Sequence, residues 1–172
     1  SNGKSVYMQL KQDANGNDLD PTQAANWDTP HPITRSDGSA LATAANGSVG
    51  MSLDMTYFQD EQGRSYYAWQ QLGATYIATM DPSDPSHITS TPVRIVAPEY
   101  AWNVTIAEGP NVTTRDGKLY LMYSGSSVGK TYTTGLAVAD ASGNTDLTDP
   151  SSWSNLNYPI QKSGIFNGSW QL

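Results

Sequence analysis

Apolar and aromatic residues along this chain fall in short runs broken by polar ones, and no long segment repeats them at helical spacing. The runs 6–10, 51–59, 65–70, 75–80, 107–113, 119–124 and 135–139 predict β-strands, rich in Tyr, Trp, Thr and Val. Between them stand Asn-Gly, Asp-Gly and Asp-Pro, dipeptides that reverse a chain, so the strands read as successive hairpins. Gly63 and Asp116-Gly117 fall where two of those hairpins must turn, because glycine takes positive φ without steric cost.

The strands carry a repeat. From Asp54 the chain reads D-M-T-Y-F-Q-D-E-Q-G-R-S-Y-Y-A-W and from Glu108 it reads E-G-P-N-V-T-T-R-D-G-K-L-Y-L-M-Y. The step from acid to glycine is the same in both, as are the steps on to Tyr66 and Tyr120 and to Trp69 and Tyr123. A third strand follows in each unit, then an aspartate, Asp81 or Asp140, then a loop with Asp84-Pro85 or Asp149-Pro150. A related loop, Asp20-Pro21 with Trp27 behind it, ends the first segment, so three units are expected, the first represented by its tail.

Units of about fifty residues with three or four antiparallel strands predict an all-β fold of β-propeller blades, about two complete blades plus the tail of a third. A β-sandwich is the rival, but it needs no repeated acid at the head of its strands, whereas the inner strand of each blade lines a central channel. The expected division is 1–45 for the end of a preceding blade and its connecting loop, 46–98 for a blade headed by Asp54, 99–165 for a blade headed by Glu108, and 166–172 for the lead-in to a further blade. Because a propeller must close, the chain reads as the middle of a larger ring.

Asp54 and Glu108, at matched repeat positions, are expected to face one ligand from adjacent blades. Met51, Leu53 and Met55 flank the first, and Ile106, Ala107, Gly109 and Pro110 the second. A carboxyl in apolar surroundings beside another carboxylate has its pKa raised, as a general acid near neutral pH requires. Singly, either acid reads as a strand or turn cap; the matched position favours function.

Composition narrows the chemistry. A formal charge of −7 and only nine Lys and Arg leave no basic stripe for phosphates, so nucleic acid is not an expected partner. The absence of cysteine excludes disulfides and thiolate metal sites, and His31 and His87, both in Pro-rich turns, read as solvated turn residues rather than ligands. No signal peptide, lipidation motif or bilayer-length apolar run is visible. The triplets beginning at Asn46, Asn103, Asn111 and Asn167 fit the N-glycosylation pattern but arise easily in so Asn-, Ser- and Thr-rich a chain.

The blocks Pro98-Glu99-Tyr100-Ala101-Trp102, Ala107-Glu108-Gly109-Pro110, Gly117 to Ser124 and Gly135 to Asp140 resemble, in order and spacing, glycoside hydrolase family 43. The resemblance covers the chain from Val6 to its C-terminus. It implies a five-bladed propeller that releases α-L-arabinofuranosyl units from plant polysaccharide by inversion, in a secreted or cell-surface protein. It makes Glu108 the general acid and Asp54 the residue that raises and orients it. The family's general base and its Gly-Pro-Gly-His block, whose histidine helps hold a channel calcium ion, match nothing here, so the isolated fragment is expected to be inactive and to contribute no cofactor site. The missing blades, or a second chain, are expected partners beside an arabinose- or xylose-containing oligosaccharide.

Aromatic rings pack on the C–H faces of sugars, which makes Trp69, Tyr100, Trp102 and Tyr123 candidate substrate contacts. Core packing is equally natural for Trp69 and Tyr123, whereas Tyr100 and Trp102, in a loop, read as pocket walls; Trp27 and Trp153 read as packing residues at blade edges. Three other readings remain: a β-xylosidase of the same family, a carbohydrate-binding propeller without catalysis, and an interaction scaffold.

Overall fold

The computed structural model of the chain describes residues 3–166 and 169–171. Among them there is no α-helix, and two large, mostly antiparallel sheets hold most of the strands. The first sheet contains β3 (Thr34–Arg35), β4 (Leu53–Gln59), β5 (Ser65–Gln71), β6 (Ala74–Asp81), β7 (Asp84–Ile88) and β8 (Val93–Val96), in the order β3-β7-β6-β5-β4 with β8 also on β6. The second contains β9 (Ala107–Arg115), β10 (Lys118–Gly125), β11 (Thr133–Asp140), β12 (Ser154–Asn155) and β13 (Gln161–Lys162), in the order β12-β11-β10-β9 with β13 also on β11. Two short pairs stand apart: β1 (Val6–Tyr7) with β2 (His31–Pro32), and β14 (Gly164–Phe166) with β15 (Ser169–Gln171). Each large sheet is a propeller blade, with β4 or β9 at its inner edge.

Local chemistry sets the hairpins. Leu72-Gly73 and Asp116-Gly117 each put both central residues at positive φ, the two-residue turn whose twist matches that of paired strands. Every residue of β5 is buried, because this strand packs on both faces. Tyr66 and Ala68 join Leu119, Leu121, Tyr123, Ala137 and Trp153 in the core between the two blades. Tyr67 and Trp69 point the other way, into a second core with Ile33, Leu41, Ala78, Met80 and Ile88. Burying one such Leu or Ile side chain contributes roughly 1.5–3 kcal/mol.

Two of the three loops expected to be alike share a form, but Asp20-Pro21 corresponds to Asp146-Leu147 and not to Asp149-Pro150, which lies three residues further on. Asp20 and Asp146 each accept the backbone N–H and hydroxyl of the threonine two residues on, a short 3-10 turn follows, and the indole N–H of Trp27 or Trp153 closes the loop on Pro21 O or Leu147 O, at 2.9 Å in both. Trp27 thus closes its own loop, whereas Trp153 closes its loop and also packs into the core between the blades. The segment from Asp84 to Ile88 is instead the strand β7, joined in parallel by β3, so the sheet takes in residues that precede position 46.

Gly135 is fixed by packing. A Cβ there would stand 2.2 Å from Cζ of Tyr123, a buried ring whose hydroxyl donates to Asn155 Oδ1 and accepts from Asn103 Nδ2. Gly135→Ala is therefore expected to cost about 1–3 kcal/mol by overpacking. Thermal denaturation of the intact protein checks this; an unchanged midpoint would mean that the ring can move aside.

Candidate active site

The strand that heads each blade is bulged at the same place. Asp54 and Met55 lie opposite the single residue Trp69, and Gly109 and Pro110 opposite Tyr123. The first residue of each pair is left-handed, with φ of 55° at Asp54 and 59° at Gly109. Glycine is the usual occupant of this bulge position, and aspartate is among the few side chains that tolerate it. Register and backbone therefore equate Asp54 with Gly109, and Leu53 with Glu108.

The two acids are thus not at equivalent positions, as their spacing from Gly63 and Gly117 suggested. The hairpin that turns at Gly63 is one residue longer than the one at Asp116-Gly117, and Asp54 stands one residue further along its strand than Glu108. The two differences cancel in the acid-to-glycine count. What the bulge achieves is an aim: Asp54 reaches across to the neighbouring blade, and its Oδ2 accepts the backbone N–H of Gly109 at 3.2 Å. Asp54 is therefore tied to the residue that follows Glu108.

The blade junction fixes the same spot from behind. Ala107 N donates to Gly73 O at 2.9 Å, and the buried Thr75 hydroxyl donates to Ala107 O at 3.0 Å. Both groups bind the β5–β6 hairpin of the first blade to the residue before Glu108. The acid therefore starts from a backbone held on either side.

Glu108 is half-buried and Asp54 exposed, and Met51 is also exposed, so the apolar enclosure expected from their sequence flanks is not formed by the described residues. Glu108 has a partner that sequence reasoning missed. The Tyr132 hydroxyl, just ahead of β11, donates to Glu108 Oε1 at 2.5 Å. Burial first, then the bond to Glu108, pushes this phenol above the ordinary tyrosine range, so it stays protonated and remains a donor. Beside it lies a cleft of about 230 Å³ lined by Ser124, Tyr132, Thr134, Gln161, Lys162 and Ser163, all able to hydrogen-bond. Nothing in the local sequence around Tyr132 marks it as facing an acid.

The aromatic candidates divide. Trp69 is fully buried, stacks with Tyr76 and donates its indole N–H to Gln71; Tyr123 is buried with its hydroxyl doubly engaged. Both are core residues, which corrects their reading as substrate contacts: bulky rings opposite the bulges fill the two cores rather than the channel. Tyr100 and Trp102 are half-buried and stacked on each other, and Trp102 on Tyr123. Their polar tips bond to Asn155 O and Asn157 O, pinning the 98–106 loop to β12 and the segment just after it. Trp102 still borders a depression with Ser126, Thr131 and Lys162.

His31 and His87, expected in turns, lie half-buried in the strands β2 and β7, because pairing with neighbouring strands extends both segments, and each meets the aspartate three residues before it, Asp28 or Asp84. Among the described residues no group of three His, Cys, Asp or Glu could hold a metal ion. Among the described residues no helix is long and apolar enough to cross a membrane.

Residues 12–171 match the model of glycosyl hydrolases family 43, and the chain belongs to that family. It is 35% identical over 117 residues to an extracellular exo-α-(1→5)-L-arabinofuranosidase of Streptomyces chartreusis, an alignment covering 63% of this chain and 35% of that protein. It is 32% identical over 130 residues to α-L-arabinofuranosidase 43 of Humicola insolens, covering 69% of this chain and 26% of the relative. The chain therefore spans about a third or less of these relatives' lengths. The crystal structure of an α-L-arabinofuranosidase from Lactobacillus brevis superposes with a TM-score of 0.67 at 25% identity, over 92% of this chain and 56% of that one. A xylan β-1,4-xylosidase from Bacillus halodurans shares the fold, with a TM-score of 0.53 at 16% identity over 84% of this chain and 28% of that one.

Proposed function

We propose that the protein carrying this chain is a secreted glycoside hydrolase that releases α-L-arabinofuranosyl units from plant polysaccharide by inversion, with Glu108 as general acid. The observation that carries this is the meeting of two carboxylates from adjacent blades, Asp54 held on the residue next to Glu108. In this role Glu108 delivers its proton to the leaving oxygen as the glycosidic bond breaks. Water attacks the anomeric carbon from the opposite side and gives its proton to a carboxylate base outside this chain, the arrangement that inversion requires. The half-buried apolar residues Tyr120, Met122, Leu136 and Val138, on the faces of β10 and β11 turned away from the first blade, are in this reading the seat of a further blade.

Arabinose over xylose rests on the arabinofuranosidase relatives. Release of 4-nitrophenol by the intact protein from its α-L-arabinofuranoside and its β-D-xyloside tests the choice. Higher kcat/KM on the arabinoside is expected. Preference for the xyloside would make it a β-xylosidase, and turnover of neither would point to a carbohydrate-binding propeller.

A further inference from the structure

Tyr132 touches Glu108 at one oxygen only, and the geometry of that contact bears on where the acid keeps its proton. The phenol lies on the segment before β11, anchored by Tyr132 N donating to Gly129 O at 3.0 Å and by Ser163 N donating to Tyr132 O at 3.1 Å. The Gly129 bond is made within the loop, but the Ser163 bond comes from beyond β13, so the phenol is fixed independently of the strand that carries the acid. Its hydroxyl donates to Oε1 at 2.5 Å, within the range of charge-assisted bonds.

Resting on the proposed role of Glu108, we infer that Tyr132 is a positioning residue that holds the acid by Oε1 and so directs its transferable proton to Oε2. A carboxyl oxygen that accepts a hydrogen bond from a phenol is the poorer place for the acidic proton, which therefore sits on the other oxygen. In the step, the proton on Oε2 passes to the glycosidic oxygen as the bond from that oxygen to the anomeric carbon breaks, the bonding electrons going to the oxygen. Glu108 is left ionised, and the Tyr132 hydroxyl keeps its own proton while donating to the new carboxylate. Water supplies the hydroxyl to carbon, its proton going to the base named above. Among the described residues, the charge of Asp54 from β4 also acts on Tyr132, and Lys162 from β13 lines the cleft beside it. Neither is altered by changing the phenol.

Tyr132→Phe in the intact protein tests this. The variant removes a donor that favours the ionised carboxylate, so the alkaline limb of kcat/KM is expected to move up by about one pH unit. Below that limb kcat is expected to fall about tenfold while KM stays within about twofold, because the proton is no longer held at one oxygen. Replacement of Tyr132 by 3-fluorotyrosine, a stronger donor of nearly the same shape, should move the limb the opposite way, a response that a merely structural ring would not give. An alkaline limb that stays put in both proteins overturns the inference, even if Tyr132→Phe is less stable. Glu108→Gln, measured alongside on an arabinan oligosaccharide, whose leaving group needs a proton, separates the levels: if it retains turnover, the role of Glu108 fails and this inference with it. If it loses turnover while both Tyr132 variants keep the wild-type pH profile, only the positioning role fails.

Discussion

Glu108→Gln in the intact protein is expected to lower kcat on a glycoside with a poor leaving group by about 10²–10⁴-fold, the span assigned to a positioned proton donor. The amide is nearly isosteric and can still accept the Tyr132 hydroxyl, so the strand, its bulge and KM should change little. What it lacks is a proton to give. A loss confined to kcat is thus the expected signature, since an interaction made only in the transition state has been removed. A rise in KM with kcat intact would instead mark Glu108 as a binding residue.

The second large effect is on stability. The Asp60 side chain is fully buried at the turn of the first hairpin and accepts four hydrogen bonds: Gln62 N at 3.0 Å, Arg64 N at 2.9 Å, Arg64 Nε at 2.5 Å and Tyr66 Oη at 3.2 Å. Arg64 then carries the contact to the second blade through Nη2 to Thr145 O at 2.9 Å. Asp60→Ala orphans the buried Tyr66 hydroxyl and frees the arginine, at an expected cost of about 2–4 kcal/mol. The half-exposed Arg64 can regain water, which keeps the figure below that of a fully buried pair.

The same group sets a pH dependence. Burial alone would raise the Asp60 pKa, but the bonds and charge of Arg64, with help from Tyr66, leave it below the ordinary value of 3.8. A carboxyl depressed by folding stabilises fully above its unfolded pKa, near 4, and the contribution is lost as pH falls through the folded value. Wild type should therefore lose stability below about pH 4 more steeply than Asp60→Ala. Parallel acid limbs in thermal denaturation of the two proteins would show that the carboxylate does not carry this dependence.

The inner strands and their turns were legible in the sequence because glycine at positive φ and period-two patterning act locally. The strand β7 was not, since Pro85 and His87 read as a loop and only the pairing with β6 and β3 makes the segment extended. The bulges were hidden for a similar reason. One residue moved from turn to strand leaves the acid-to-glycine spacing unchanged, and only cross-strand register reveals that Asp54 matches Gly109. Trp69 and Tyr123 looked equally suited to core and to ligand, and burial of both β5 faces decided for the core. Tyr132 meets Glu108 across 24 residues through a loop whose path no local pattern encodes.

The most direct test of the central claim, that Glu108 protonates the leaving oxygen, is the leaving-group dependence of Glu108→Gln. Turnover of arabinofuranosides by wild type and variant would be compared for a 2,4-dinitrophenolate leaving group, which departs without a proton, and for an arabinan oligosaccharide, which does not. The account predicts a large loss on the oligosaccharide and a small one on the dinitrophenyl substrate. An equal loss on both would contradict it.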